Sequence, residues 1–265
     1  PYLMDFNEAT TAILNLIAEC DSDADFFAKR LRYEQIPHIS FSQVITIEAC
    51  PYRYYLQYIL GMEPFPTPDY FVKGKLLHQL IAQDYHNGNQ ALFYENEITQ
   101  RFIGESAAHL LNAMMIHRQH AWRNFDVVAV EKPFVFHPDP SLPPLVGVID
   151  LILEQDGAYL LVDHKTGRNF YPNDELQVAI YAQYICSAYE VQSCRMFYDH
   201  YRWVNNLDSI RKPAFQRLEV YADLLNWPQY LERIRCAYSS IEKIHASGHA
   251  PRTGECFLCP YKEMC

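Results

Sequence analysis

Residues 145–167 read Leu145-Val-Gly147-Val-Ile-Asp150-Leu-Ile-Leu-Glu-Gln155-Asp-Gly157-Ala-Tyr-Leu-Leu-Val-Asp163-His-Lys165-Thr-Gly167. The runs 145–153 and 158–163 are dominated by Val, Ile and Leu, and Gln155-Asp156-Gly157 between them is a tight-turn signal. The spacing predicts two adjacent antiparallel strands joined by a hairpin. Asp150 then falls late in the first strand and Asp163 late in the second, followed at once by His164, Lys165, Thr166 and Gly167. Side chains alternate across a strand, so Asp163 and Lys165 share a face. Two carboxylates from neighbouring strands commonly hold a hard divalent cation, and a lysine beside them can orient or deprotonate a water and offset charge on a phosphate. On its own, Asp-x-Lys is more simply a surface ion pair.

Upstream of the hairpin the chain reads as helical. Apolar spacing over 5–32 is broken by the acidic run 21–25, giving two helices. Ser40 is an N-cap signal for a helix that runs into Cys50 and restarts at Pro51 through the Tyr-rich segment 52–60, before Gly61. Three prolines in 64–68 make a loop, and helices follow at 70–86 and 104–125. The period then changes. Residues 126–137 have strand character ahead of the hairpin, and beyond it Asn173 caps a helix over 174–189. A strand over 193–203 and a long helix over 227–246 complete the pattern. The tail from Gly248 is punctuated by Pro, Gly and Cys and needs something to tie it down.

Three further features accompany the hairpin. Gly147 stands three residues before Asp150. Gln177 and Tyr181, four apart, share one face of the helix after the second strand. His78 follows Gly74 by four on a predicted helix, where a lone histidine is usually a surface or satisfied core residue. Gly74-x3-His78, Gly147-Val-Ile-Asp150, Asp163-His-Lys165 and Gln177-x3-Tyr181 together resemble the RecB-type branch of the PD-(D/E)XK nuclease superfamily. The resemblance implies an α/β fold with a restriction-endonuclease-like core, a mixed central sheet flanked by helices and a helical lobe. It also implies a DNA nuclease that uses Mg²⁺ or Mn²⁺. Its implied metal ligands are His78, Asp150, Asp163 and the carbonyl of His164; Lys165 joins the two aspartates as catalytic, and Gln177 and Tyr181 bind substrate. His164 stands where the family often has Tyr, which leaves the carbonyl role intact. Glu131 matches an acidic position frequent in the family, and reads equally as a surface strand residue.

Eight cysteines in a long apolar chain expected to be cytosolic do not read as a disulfide scaffold. Cys256-x2-Cys259-x5-Cys265 has metal-site spacing, and Cys50 is the best fourth ligand because Cys50-Pro-Tyr-Arg echoes Cys259-Pro-Tyr-Lys. Four thiolates fit zinc or an iron-sulfur cluster alike. One upstream cysteine with three at the C-terminus further resembles the iron-sulfur subset of the family, such as the AddB nuclease domain and the CRISPR-associated adaptation exonucleases. That subset implies a [4Fe-4S] cluster stapling the tail. The organisation expected is a helical extension over 1–39, which packs on the cluster lobe or meets a partner, then a helical lobe over 40–125 with Cys50 and His78. The nuclease core spans 126–247 and the cluster tail 248–265.

Composition sets outer bounds. With 265 residues, 49% of them apolar, the chain can bury a substantial core, and disorder is excluded. A formal net charge of −10 excludes bulk polycationic binding of nucleic acid, though not a local basic track. No run is long and apolar enough to span a membrane, so a cytoplasmic protein is expected. Tyr52, Arg53, Tyr54, Lys73, Lys75 and Arg168 are candidate contacts for a strand of DNA; the Tyr-rich stretch serves equally to pack the lobe. The leading reading is a metal-dependent exonuclease acting on single-stranded or frayed DNA ends. Alternatives are a catalytically silent DNA-binding or scaffold subunit of a helicase-nuclease or CRISPR adaptation complex, and a redox-responsive regulator. All four of His78, Asp150, Asp163 and Lys165 are present, which weighs against lost chemistry.

Overall fold

A computed structural model describes residues 4–20, 23–87, 94–170, 174–253, 256 and 259–265. Asn173, expected as a cap, lies outside them. Among the described residues the helices are α1 Phe6–Glu19, α2 Ala24–Tyr33, α3 Phe41–Ala49, α4 Pro51–Tyr54, α5 Asp69–His86, α6 Tyr94–Arg101, α7 Gly104–His120, α8 Glu175–Ala188 and α9 Trp227–Ser247. The strands are β1 Ile39–Ser40, β2 Asp126–Phe136, β3 Leu145–Gln155, β4 Ala158–Gly167, β5 Arg195–Arg202 and β6 Phe215–Val220. The ends follow local chemistry. Asp5 with Glu8 and Ser40 with Gln43 form reciprocal capping boxes at the starts of α1 and α3. Gly248, at φ +64°, closes α9 in the left-handed conformation.

The strands form one mixed sheet in the order β1-β3-β4-β5-β6, with β2 on the other edge of β3. β3 and β4 are the expected antiparallel hairpin, and α8 carries the chain over to β5, parallel to β4. Helices cover both faces. Leu151, Leu153, Leu160 and Val162 pack with Leu77, Leu80, Leu110 and Met114 of α5 and α7. Ile149, Ile152 and Leu161 pack with Val44, Ile180 and Ile241 of α3, α8 and α9. This is the mixed α/β sheet flanked by helices that the sequence leads one to expect. α1 and α2 bury Ile13, Leu16, Phe27 and Leu31 against Val146, and Asp25 of α2 meets Lys75 of α5 at 2.8 Å.

Several expectations change. α7 ends at His120 rather than at 125, because the chain turns so that Trp122 Nε1 can donate to Asp199 Oδ2 at 3.1 Å. α6, β1 and β6 have no counterpart in the sequence reading. Lys73 is buried between Asp69, at 2.9 Å, and His109, at 3.0 Å, so it is not a free DNA contact, while the exposed Lys75 pairs with Asp25 at 2.8 Å. Tyr54 is buried and stacked on Tyr58, the packing alternative for that stretch. The tail is tied down: Tyr52 N donates to Pro251 O at 3.1 Å, Tyr261 OH to Met62 O at 3.1 Å, and Arg252 lies 4.4 Å over the Tyr52 ring.

Candidate active site

The β3–β4 ladder stops at Leu151↔Val162, and beyond it the two strands part. β4 continues in register with β5 alone, from Asp163↔Tyr198 to Gly167↔Arg202. Backbone groups freed at such a split need partners. Asp150 Oδ2 accepts the His164 amide at 2.7 Å, and Tyr181 OH donates to Val148 O at 2.9 Å. Asp150 and Tyr181, two of the residues singled out by motif, therefore satisfy the opened strand ends.

On one face of β4, Lys165 Nζ lies 2.7 Å from Asp163 Oδ2 and donates to Gln177 Oε1 at 2.9 Å. Gln177 Nε2 donates to Asp163 Oδ1 at 3.1 Å and to Tyr181 OH at 3.2 Å. Tyr198 OH also reaches Gln177 Oε1, at 3.3 Å, and its ring sits 4.9 Å under the Lys165 ammonium. Gln177 thus bridges the acid and the lysine, while Tyr181 ties that bridge to β3.

On the other side, His78 Nδ1 lies 3.5 Å from Asp150 Oδ2. His78, Glu131 and Asp150 each bring one ligand atom within 4.8 Å of the others, and this is the one such group of metal-binding side chains among the described residues. Asp163 stands apart from that trio, engaged with Lys165 and Gln177. Two glycines permit the approach. A Cβ on Gly74 would lie 3.1 Å from Thr166 Oγ1, so α5 packs close against β4 and delivers His78. A Cβ on Gly147 would lie 2.6 Å from Phe134 Cε1, and the Phe134 ring meets Tyr181 edge-on at 5.7 Å.

Sequence reasoning left Glu131 undecided. It stands on β2 between Val130↔Leu151 and Lys132↔Ile149, a register that sets it opposite Asp150, with φ at +47°.

The electrostatics are those of a cation-binding cluster. Burial pushes Asp150 upward, but the His78 charge and hydrogen bond outweigh it and hold the carboxyl well below its usual range. Burial, then the Asp150 charge, drives Glu131 up to about 8. Asp163 rises to about 6, through burial that Lys165 only partly offsets. Burial acts to lower His78, but Asp150, Glu131 and Asp163 carry it to about 9. Burial takes His164 down to about 4, and neither ring nitrogen has a hydrogen-bond partner. Three carboxylates held this close strain against one another, and a divalent cation would relieve that repulsion. One imidazole with hard carboxylate oxygens suits Mn²⁺ or Mg²⁺.

The cysteines behave differently. Burial raises the Cys265 thiol, followed by the charges of Cys259, Cys256 and Cys50, so the four are electrostatic neighbours. Among the described residues no three of their sulfurs fall within 4.8 Å of one another. One tetrahedral zinc, with Zn–S near 2.3 Å, would need sulfurs about 3.8 Å apart.

The chain belongs to the PD-(D/E)XK nuclease superfamily, whose family model matches residues 38–265. A metal-using nuclease hydrolase acting on DNA is the class this defines. No curated protein matches the chain. Among solved structures, a provisionally named exonuclease from Eubacterium rectale superposes with a TM-score of 0.59 at 9% identity, over 88% of this chain and 90% of that one. The structure of SSO0001 gives a TM-score of 0.42 at 13% identity, over 91% and 94%. At such identities the likeness concerns the fold alone. No helix among the described residues is long and apolar enough to cross a membrane.

Proposed function

We propose that the protein is a metal-dependent DNA exonuclease of the RecB-type branch, acting at the split between β3 and β4 on single strands or frayed ends. The observation that carries this is the convergence at that split of His78, Glu131 and Asp150 on one side with Asp163, Lys165 and Gln177 on the other. His78, Asp150, Asp163 and the His164 carbonyl would hold the cation, with Glu131 added to that set. A divalent cation held there would neutralise charge on the phosphoryl oxygens and polarise the phosphorus. Lys165, held at 2.7 Å by Asp163, orients the attacking water and offsets charge on the phosphate. Gln177 fixes the Lys165 ammonium, and Tyr181 fixes Gln177. Exposed Tyr70 and Phe71, on the turn of α5 ahead of Gly74, are suited to stack on unpaired bases. The exonuclease part draws on the motif resemblance and on the name of the Eubacterium rectale structure.

The same reading gives Cys50, Cys256, Cys259 and Cys265 a structural [4Fe-4S] cluster. Each thiolate then takes its own iron, which spreads the sulfurs more widely than one zinc would. The docking of Pro251, Arg252 and Tyr261 against segment 52–62 supports a staple at that place.

The test is degradation of end-labelled single-stranded and duplex DNA with Mg²⁺ or Mn²⁺. Asp150→Ala, Asp163→Ala and Lys165→Ala should each lose about a thousandfold or more in rate while remaining folded, because the members act as a unit. Activity close to the parent's in all three would overturn the assignment. Binding without cleavage by the parent protein would favour the silent-subunit alternative.

A further inference from the structure

Just beyond the active-site lysine lies a second feature that the catalytic reading leaves unused. A cleft of about 430 Å³ opens where β4 and β5 end, between the start of α7 and the loop after β5. Arg168, Arg202, Trp203 and Asn205 line it together with His109 and Glu105 of α7. Its floor is fixed to the catalytic strand, since Trp203 N donates to Gly167 O at 2.8 Å.

Charge is concentrated there in an otherwise acidic chain. Arg168 and Arg202 line the cleft, Arg211 and Lys212 directly follow its lining residues Ser209 and Ile210, and none of the four has an ion pair among the described residues. Arg202 spends its hydrogen bonds on the carbonyls of Lys212 and Pro213, which anchors the loop and leaves its positive charge uncompensated. The carboxylates nearby are Glu105, which accepts the Asn205 amide at 2.9 Å, and Asp208. Trp203 is buried, and its indole N–H has no acceptor, a state that costs free energy until an oxygen reaches it. Arg168 is exposed, without a hydrogen-bond partner among the described residues, and three residues on from Lys165. Three residues at roughly 3.3 Å each keep the two Cα atoms within about 10 Å, so both side chains can reach the backbone of one strand.

We propose that this cleft is a phosphate subsite for the strand being cut, with Arg168 and Arg211 contacting backbone phosphates one step removed from the reacting one, and Arg202 holding the loop in place. The ligand is a nucleic acid strand recognised by its backbone, so recognition there carries no sequence preference. This rests on the nuclease reading, and the test is chosen to separate the two.

Binding of a short fluorescein-labelled single strand is followed by anisotropy, in excess chelator so that nothing is cut, across a salt titration. For single strands each phosphate contact contributes about 0.7 to the slope of log K against log salt. Arg168→Ala should lower the slope by about 0.7 and weaken binding about fourfold at 0.15 M salt, and the double variant Arg168→Ala/Arg211→Ala should lower it by about 1.4. Arg168→Lys should keep the slope, and Lys243→Ala, on the remote α9, should leave it unchanged. A parent slope retained in the Arg168 and Arg211 variants overturns the subsite while leaving the nuclease intact. Absence of any strand binding by the parent overturns the subsite, and absence of cleavage with Mg²⁺ or Mn²⁺ as well overturns both.

Discussion

Adding one methyl group at Gly147 is a sharp test of how the site is held. A Cβ there would stand 2.6 Å from Phe134 Cε1 and 2.8 Å from Cζ, about 1 Å inside ordinary contact. The ring cannot retreat freely: Phe134 is 1% exposed, stacked on Tyr184 at 4.5 Å and edge-on to Tyr181 at 5.7 Å. Overpacking of this kind costs about 1–3 kcal/mol, and for a chain of this size each kcal/mol lowers Tm by about 2–4 °C. Gly147→Ala should therefore melt several degrees below the parent in a circular-dichroism scan. The displaced ring also pushes on Tyr181, whose hydroxyl links Val148 O to Gln177 and so to Lys165. A misplacement near 1 Å can cost about a hundredfold in rate, so cleavage should fall by more than the stability loss explains. Adding Phe134→Leu should restore part of both, with a coupling of about 0.5–3 kcal/mol. Unchanged Tm and activity in Gly147→Ala, or no coupling in the double variant, would refute the packing argument.

Two further outcomes are expected. His164 titrates near 4 when folded against 6.5 when unfolded, so its contribution to stability is present above pH 6.5 and is lost as pH falls toward 4. At pH 5 that amounts to about 2 kcal/mol, and His164→Gln should flatten the pH 5–7 limb of urea stability measured in chelator; an identical acid limb in the variant would place the effect elsewhere. Cys256→Ser should lower Tm and reduce the iron and acid-labile sulfide of anaerobically purified protein, whereas zinc without sulfide in the parent would reassign the thiolates.

The hairpin, its turn, the crossover helix and the position of His78 were legible because each obeys a simple period or motif. The last strand was not, because β6 inverts the usual alternation. Its half-buried positions include Arg217 and Glu219, ion-paired with Asp199 and Arg195 of β5, while Leu218 faces out. Helix α6 buries only Ile98, too little apolar surface to stand out. Within the site, the aspartates and lysine could be read from strand ends, but Glu131 could not, since its place opposite Asp150 depends on the register of β2 on β3, which local sequence does not fix. The buried Asp84–His117 pair and the Arg123 that meets it were equally invisible, because they join residues from two helices and the loop after α7.

The backbone at Glu131 has a consequence for how this protein can change. A strand residue other than Gly or Asn held at φ +47° is disfavoured by roughly 1–2 kcal/mol, and the Glu131 carboxyl is also half-buried beside Asp150. Replacing it with Gly would therefore make the chain more stable while stripping a carboxylate from the metal trio. Selection for heat resistance alone would be expected to discard Glu131 early, and selection for activity to restore it. Stability and chemistry are set against each other at a single backbone torsion.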